Sequence, residues 1–315
     1  MLLVAAHIGN SQTMEKKSDQ GVKQLPRGQW TLDWSADSKL IATGGDDSLV
    51  RIYNANTLAV MKAYHLNGMI RQVRWHPTNH FLFITCITPI QEILNVDTDE
   101  VVLRARIQQG ARAIDWSYDG MRLAIADGEG MVRSLGIDGK EGKVFAGNDR
   151  RSYFSLDWHP SRNILVTGGD DIRIFDTETG LLKIIKHRAE NTGVLVVRWH
   201  PSGEYFVSGD YGHHEEGIPS LLQFWSVDGE LIKTIRASKK EYRTLAWSPD
   251  GHYLATAGDQ LRIWSKSGDL IFEDDSGSSA NIWGMAWRSD NKKLACIDFA
   301  GNLKTWSAGD WSLRK

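Results

Sequence analysis

The chain has 315 residues, with 37 basic and 39 acidic side chains and a formal net charge of −2 at pH 7. With so small a net charge, the chain as a whole has no positive electrostatic field that would attract nucleic acid or an anionic membrane. No stretch approaches the 18 or so consecutive apolar residues of a membrane-spanning helix, so the sequence predicts no membrane association.

The first 29 residues fall into two parts. Residues 2–8 are apolar and predict a strand with no hairpin partner next to it in sequence. Residues 9–29 are polar, lack periodicity and predict a long loop. The apolar part is a poor secretory signal, because no basic flank precedes it and no small-residue cleavage site follows it.

A tryptophan recurs at steps of 40 to 48 residues along the rest of the chain. We call these seven residues the anchors: Trp34, Trp75, Trp116, Trp158, Trp199, Trp247 and Trp287. Each is followed by a turn such as Ser-Pro-Asp-Gly, in which proline fixes φ and the last residues tolerate turn conformations. In the clearest copy, residues 247–264, a small-residue strand, a Gly-Asp turn and a strand ending in Trp264 follow. A repeat of this length predicts an array of small β-sheets.

This order of elements resembles the WD-repeat β-propeller family, and the resemblance covers nearly all of the chain. It implies an all-β fold, a seven-bladed β-propeller of four-stranded antiparallel blades, closed by the N-terminal strand (residues 1–8), which completes blade seven. The competing closing candidate is the segment from Trp311 to Arg314. One domain over 1–315 is predicted, with blades at about 28–66, 68–107, 109–148, 150–189, 191–237, 239–276 and 279–315. The family shares a scaffold and not an activity.

The sequence departs from the family in the polar set that usually links His, Asp, Ser or Thr, and Trp within a blade. The first blade has Thr43, Asp47 and Tyr53 without an evident histidine. We therefore expect apolar packing to hold the blades together, with roughly 150 to 250 Å² buried by each anchor. Cys86 and Cys296 fall in the second strands of blades that are not neighbours, which predicts buried thiols, no disulfide and a cytoplasmic location.

In the family, the residue four before the anchor lies at the mouth of the central channel, on the face used for peptide binding. Carried over position by position, the resemblance implies a rim made of Trp30, Arg71, Arg112, Phe154, Leu195, Arg243 and Trp283. Arginine among exposed aromatic side chains is typical of binding hot spots. The alternative is that these groups stack on one another, cation over ring, and fill the channel. The repeat assigns no packing role to Trp30, Trp283 or Trp311.

Metal-type ligands cluster at one place, in an insertion of the fifth repeat over 209–220: His213, His214, Glu215 and Glu216. Adjacent residues of an extended chain point in opposite directions, so at most two of the four would converge, and a solvated loop is favoured over a metal site. His76, His159 and His200 each precede a turn proline and are interpreted as turn-capping residues. The sequence shows no Gly-rich phosphate loop before a helix, no nucleophile elbow and no paired carboxylates at a repeated position.

These observations favour a non-enzymatic interaction scaffold without a cofactor. It would bind another protein or a peptide segment, expected to be acidic, with rim residues Trp30, Arg71, Arg112, Phe154, Arg243 and Trp283. Binding of nucleic acid or a phosphorylated ligand at the same rim is one alternative, which the near-neutral charge disfavours. A metal-dependent enzyme that uses His213, His214 and Glu216 is the other.

Overall fold

The computed structural model describes residues 28–107, 110–127, 130–146, 153–186, 192–274 and 281–311. These residues form seven separate antiparallel sheets, and within each sheet the strands lie in sequence order. Six of the sheets have four strands, and the seventh has three described strands. The fold is a seven-bladed β-propeller, as the repeat predicts.

The innermost strand of each blade ends at an anchor. Blades one and two contain β1 (Gln29–Trp34), β2 (Leu40–Gly45), β3 (Leu49–Asn54), β4 (Val60–His65), β5 (Ile70–Trp75), β6 (Phe81–Cys86), β7 (Ile90–Asn95) and β8 (Glu100–Arg106). Blades three and four contain β9 (Ala111–Trp116), β10 (Arg122–Asp127), β11 (Met131–Gly136), β12 (Glu141–Ala146), β13 (Tyr153–Trp158), β14 (Ile164–Gly169), β15 (Asp171–Asp176) and β16 (Gly180–Lys186).

The remaining three blades follow the same plan. Blades five to seven contain β17 (Val194–Trp199), β18 (Tyr205–Asp210), β19 (Leu222–Ser226), β20 (Leu231–Ile235), β21 (Thr244–Trp247), β22 (Tyr253–Ala257), β23 (Arg262–Ser265), β24 (Leu270–Glu273), β25 (Ile282–Trp287), β26 (Lys293–Asp298) and β27 (Leu303–Ser307). Two short 3-10 helices, His214–Glu216 and Ala308–Trp311, also occur in the described residues.

Apolar packing between neighbouring blades closes the ring. Seven clusters of buried apolar residues occur in the described structure, one at each blade interface, and each contains an anchor. The anchors are at most 9% exposed. Blade one meets blade seven where β1 packs against β25 and β26, and the Trp34 indole N–H donates to the Ala286 carbonyl at 3.0 Å. These contacts confirm that buried apolar surface joins the blades.

The polar set inside the blades is only partly present. In blade five the Trp225 indole N–H donates to Ser208 Oγ at 2.9 Å, as the family pattern implies. In blade one the Gly-Asp turn carboxylate of Asp47 instead pairs with Arg51 on the next strand, at 2.6 Å. Both contacts lie within a single blade, so they stiffen a sheet without joining it to the next.

Two kinds of turn follow six of the seven anchors, and the first side chain of each of these turns caps it. In blades one, three and six a serine hydroxyl accepts the backbone N–H five residues later. In blades two, four and five a histidine Nδ1 accepts the backbone N–H two residues later. These bonds confirm that His76, His159 and His200 cap their turns.

The same three histidines also connect neighbouring blades. Because Nδ1 accepts, Nε2 carries the proton, and in His159 it donates to the Gly203 carbonyl at 2.9 Å. The ring lies edge-on to the Trp199 indole, with ring centroids 4.8 Å apart. His76 and His200 make the equivalent contacts with the blades that follow them. Burial lowers the pKa of all three imidazoles, so the neutral form belongs to the folded state.

The N-terminal segments fall largely outside the described residues. The predicted closing strand over 2–8 lies there entirely, and β1 begins at Gln29, the last residue of the predicted loop. The competing closing segment does not begin as a strand, because Trp311 ends a 3-10 helix. This short helix places the indole between blades six and seven, where it is 2% exposed and packs edge-on against Trp287. The structure thus gives Trp311 the packing role that the repeat did not assign.

The two cysteines are free and buried, as expected. Cys86 lies in β6 and Cys296 in β26, on blades that are not neighbours. Burial raises the pKa of Cys86 to about 12, and it raises the pKa of Cys296 as well. Buried neutral thiols of this kind are inert.

Deletion of residues 1–9 tests the closing strand that the sequence predicts. A fourth strand in blade seven would cover an open sheet edge, so we expect aggregation or a fall in Tm of roughly 5 °C or more. Deletion of 11–18, inside the polar segment, is the matched control and should leave Tm near the wild-type value. A Tm for the first deletion that equals the control would place the closing strand elsewhere.

A glycine pair tests the contact between the histidine and the next blade. Gly203 and Gly217 both have positive φ, +74° and +73°, but an added Cβ would lie 2.4 Å from the His159 ring at Gly203 and meets nothing within 4 Å at Gly217. Both alanine variants carry the left-handed strain of about 1 to 2 kcal/mol. The free energy of unfolding should fall by about 1 to 3 kcal/mol more in Gly203→Ala than in Gly217→Ala, because the alanine methyl group displaces the buried hydrogen bond of His159. Urea denaturation measures both, and equal losses would contradict the role of the contact.

The buried imidazoles also predict a pH dependence of stability. Their folded-state pKa lies below the unfolded value of about 6.5, so the unfolded chain takes up protons first as pH falls. The stabilisation is therefore present above about pH 6.5 and is lost on acidification. His159→Gln should reduce the fall in Tm between about pH 7.5 and pH 5.5, because one of the three groups that take up protons on unfolding is removed. A pH slope equal to that of the wild type would show that His159 is not linked to folding.

Candidate functional site

The seven rim residues lie around one cavity at the end of the channel where the innermost strands begin. A repeated β-bulge explains how they reach it. In β1 the pairing register shifts between Gln29 and Thr31, so the bulge falls on Trp30. The register shifts of β5, β9, β13, β17 and β25 fall at the same position. A bulge re-aims its side chain, and here it turns the residue four before each of these anchors toward the channel.

Aromatic side chains from blades one and seven meet on one side of the rim. The Trp30 and Trp283 rings lie edge-to-face with centroids 4.5 Å apart, and Phe299 contacts both rings. The Trp30 indole N–H donates to the Asp46 carboxylate. Phe299 is 40% exposed and was not among the predicted rim residues. It follows β26, so a search restricted to the innermost strands does not find it.

Each rim arginine stacks on a rim ring. The guanidinium carbon lies 5.7 Å from the ring centroid for Arg71 over Trp30 and 5.6 Å for Arg112 over Phe154. Arg243 lies closer, 4.2 Å from the Trp283 ring centroid. The stacking that the sequence offered as the alternative to binding is therefore present. It leaves an open cavity between the stacked pairs, so the groups do not fill the channel.

The three rim arginines differ in how far their charge is neutralised. Arg243 donates from Nε to Glu241 Oε1 at 2.6 Å. Neither Arg71 nor Arg112 forms an ion pair with a carboxylate in the described part of the chain. Burial and the Arg112 charge lower the pKa of Arg71, while Asp46 opposes the shift. Two neighbouring cations thus repel each other at the rim, and an added anion would relieve that repulsion.

A second ring of side chains lies deeper in the channel, at the residue before each anchor. We call it the channel belt: Asp33, Arg74, Asp115, Asp157, Arg198, Ala246 and Ala286. The inference that no paired carboxylates occur at a repeated position is wrong, since three of these residues are aspartates and Asp115 interacts electrostatically with Asp157. Listing the residue before each anchor would have found them, because one repeat position occupies the same place in every blade.

The belt aspartates join neighbouring blades. Asp33 Oδ2 accepts the backbone N–H of Trp75 at 2.8 Å, and Asp157 Oδ2 accepts that of Trp199 at 2.7 Å. Asp115 makes the equivalent bond to the anchor of blade four. The innermost strand is a sheet edge with unpaired N–H groups, so each carboxylate satisfies a donor that the blade itself does not pair.

Burial also shapes the charge of the belt. Burial raises the pKa of Asp33 and Asp115 above the usual range, and it raises the pKa of Asp157 to about 7 against the opposing charge of Arg198. Burial and the neighbouring Arg74 charge lower the pKa of Arg198. Three aspartates and two arginines carry a net charge of −1 when all are ionised, so a single proton makes the belt neutral.

The cavity encloses about 120 Å³. Its arginines come from both rings: Arg71, Arg74, Arg112, Arg198 and Arg243. Among the described residues that form its wall there is no aspartate or glutamate, because the belt carboxylates lie behind, against the backbone. A partly desolvated wall with five cations and no facing carboxylate favours an anionic ligand.

The metal-type ligands of blade five do not converge. His213 Nδ1 lies 3.8 Å from Glu216 Oε2, whereas His214 Nε2 lies 3.1 Å from Ser220 Oγ. Within the described ranges no three His, Cys, Asp or Glu side chains are placed to hold a metal ion. The insertion forms a small loop with the short helix His214–Glu216, in which Gly217 takes the left-handed conformation.

Comparison with known proteins agrees with the fold. Residues 92–242, and again 170–281, match the family described as eukaryotic translation initiation factor eIF2A, and residues 32–111 match the anaphase-promoting complex subunit 4 WD40 domain. The first family matches residues 170–242 twice, so its matches follow the repeated blade. The chain belongs to the WD-repeat β-propeller family. Propellers of this family generally act as non-enzymatic protein-interaction scaffolds.

Several curated relatives align with most of this propeller. It is 25% identical over 301 residues to Actin-interacting protein 1 of Drosophila melanogaster, covering 90% of this chain and 46% of that protein. It is 20% identical over 290 residues to Periodic tryptophan protein 2 homolog of Caenorhabditis elegans, covering 87% of this chain and 30% of that protein. The propeller therefore spans less than half of either relative. No helix in the described residues is long and apolar enough to cross a membrane.

Proposed function

We propose that this propeller is a non-enzymatic interaction module whose rim binds an acidic segment of a partner protein. The observation that carries the proposal is the cavity wall with five arginines and no facing carboxylate. Arg71 and Arg112 contribute the charge, since Glu241 neutralises Arg243. Trp30, Phe154 and Trp283 contribute the apolar contact surface.

The stacked geometry suits carboxylate recognition. A guanidinium group that lies over a ring uses its face for the ring and keeps the N–H groups at its edge for hydrogen bonds. Arg71 and Arg112 are held in this way without a carboxylate partner in the described residues. Each charge-assisted bond that they donate would contribute about 1.5 to 3 kcal/mol. The rings also restrict the arginine rotamers before binding, which reduces the entropy lost on association.

The shape and charge of the site favour a peptide over nucleic acid. A nucleic-acid strand needs a basic track along several phosphates, whereas the five arginines surround one cavity of about 120 Å³. The chain as a whole carries a charge of −2. We place the module in the cytoplasm, which agrees with two free thiols that are both buried.

Selection from a displayed library of random 12-residue peptides tests the proposal. We expect the wild type to enrich peptides with several acidic residues and at least one aromatic residue. The double variant Arg71→Ala/Arg112→Ala should bind the enriched peptides at least about 100-fold more weakly, since each arginine contributes about 1.5 kcal/mol or more. Calorimetry with synthetic peptides at fixed salt measures the loss.

The matched control is Arg106→Ala/Arg236→Ala, which removes two exposed arginines that do not line the cavity. It should keep the wild-type affinity apart from a small long-range effect. Enrichment of basic peptides, or equal losses in the two double variants, would contradict the proposed site. Stronger binding of single-stranded oligonucleotides than of acidic peptides would favour the nucleic-acid alternative.

A further inference from the structure

Two arginines of the channel belt form the floor of the rim cavity. Arg74 and Arg198 line the cavity together with the rim residues. Their side chains are 15% and 18% exposed. A ligand that enters the cavity past the rim can therefore reach both side chains.

The two floor arginines differ in their bonding. Arg198 Nη1 donates to the Val197 carbonyl at 2.8 Å and to Ser155 Oγ at 3.3 Å. Arg74 has Asp115 as its ion-pair partner, with Nε and Oδ1 3.9 Å apart, which is beyond hydrogen-bond distance. Among the described residues, the Arg74 guanidinium donates no hydrogen bond. Because Arg74 lines the cavity, its N–H groups are available to an acceptor that enters there.

The aspartates behind the floor already accept hydrogen bonds from the backbone of the next blade. Asp115 Oδ2 accepts the Trp158 backbone N–H at 2.8 Å, which holds that carboxylate against the next blade. Asp33 and Asp157 are held in the same way. A ligand in the cavity can supply the acceptor that Arg74 lacks among the described residues.

We propose that the bound segment inserts one glutamate side chain into the channel, where its carboxylate accepts hydrogen bonds from Arg74. This inference rests on the proposed function and specifies its ligand. The rim binds the flanking acidic and aromatic residues, and the floor selects one position of the segment. A long side chain is required, because Arg74 lies three residues further along β5 than the rim residue Arg71.

The charge of the belt favours a carboxylate over a phosphate. With every group ionised, three aspartates and two arginines give the belt a net charge of −1. A phosphate monoester brings a charge of about −1.5 to −2 close to those aspartates. A carboxylate brings a single charge and matches the planar arginine fork. We therefore expect phosphoserine in place of the inserted glutamate to bind more weakly.

The belt also links binding to pH. The charged groups that face the floor are Asp33, Arg74, Asp115, Asp157 and Arg198, and the innermost strands of blades six and seven contribute Ala246 and Ala286. The pKa of Asp157 is raised to about 7. An inserted carboxylate favours the protonated form of Asp157, so its binding takes up a proton. Affinity for the glutamate peptide should fall as pH rises through about 7, and the glutamine analogue should lack this dependence.

A double-mutant cycle tests the contact. The probes are the best peptide selected on the wild type, with an amidated C-terminus, and versions in which each glutamate in turn is replaced by glutamine. We expect Arg74→Gln to weaken binding about 10-fold, as one charge-assisted bond is lost. One glutamate position should show the same loss, and the two losses should not add. Arg112→Ala should weaken the glutamate peptide and its glutamine analogue at that position by the same factor.

The outcomes separate this inference from the proposed function. If the losses add at every glutamate, Arg74 does not contact the ligand, while the rim proposal stands as long as Arg71→Ala/Arg112→Ala abolishes binding. If that rim variant binds as well as wild type, the proposed function itself fails. Binding that depends on a free C-terminal carboxylate would overturn the choice of a side chain.

A second variant keeps the test informative if Arg74→Gln does not fold. Arg74→Lys retains the charge beside Asp115 and lacks the bidentate fork. It should fold, keep the affinity for the glutamine analogue, and lose several-fold in affinity for the glutamate peptide. Equal affinity of Arg74→Lys and wild type for the glutamate peptide would contradict a directed hydrogen bond from the guanidinium.

Discussion

The structure depends on one constraint, that the innermost strand of a blade is a sheet edge whose buried backbone donors need acceptors from outside that blade. Asp33, Asp115 and Asp157 meet this constraint at the backbone N–H of the following anchor. In blades three, five and six, a histidine ring of the preceding blade packs against the anchor indole. The apolar clusters bury the surface between neighbouring blades, and these polar contacts determine how one blade is positioned against the next.

The chemistry of the channel follows from that constraint. A carboxylate that bonds a buried N–H brings negative charge into the channel, where ionised groups are costly unless they are paired. Arg74 and Arg198 balance that charge, while Ala246 and Ala286 leave room in blades six and seven. Since the carboxylates face the backbone and the arginines face the cavity, the same set of residues joins the blades and makes the cavity wall cationic.

Much of the fold could be predicted from the sequence, because anchors and turns are local signals repeated seven times. The repeat predicts that Trp158 is buried at a blade interface and that His159 caps a turn. The rim position is also predictable, although the β-bulge that turns Trp30 toward the channel leaves no trace in composition. The ion pair of Arg243 with Glu241 was harder to predict, since it depends on loop conformation. The bond from Asp33 to Trp75 crosses blades, and pairing within one repeat does not reveal it.

The arrangement also explains why stacking and binding are compatible at the rim. Cation–ring stacking leaves the guanidinium edge unbonded, and a stacked pair contributes only about 0.5 to 1 kcal/mol at an exposed site. Arg71 and Arg112 therefore remain available to a stronger acceptor, and their mutual repulsion lowers the cost of accepting one. Arg243 differs, because Glu241 already occupies its edge. A ligand carboxylate is therefore stabilised most on the side of the rim formed by blades two and three. The aromatic side, formed by blades one and seven, offers apolar contact.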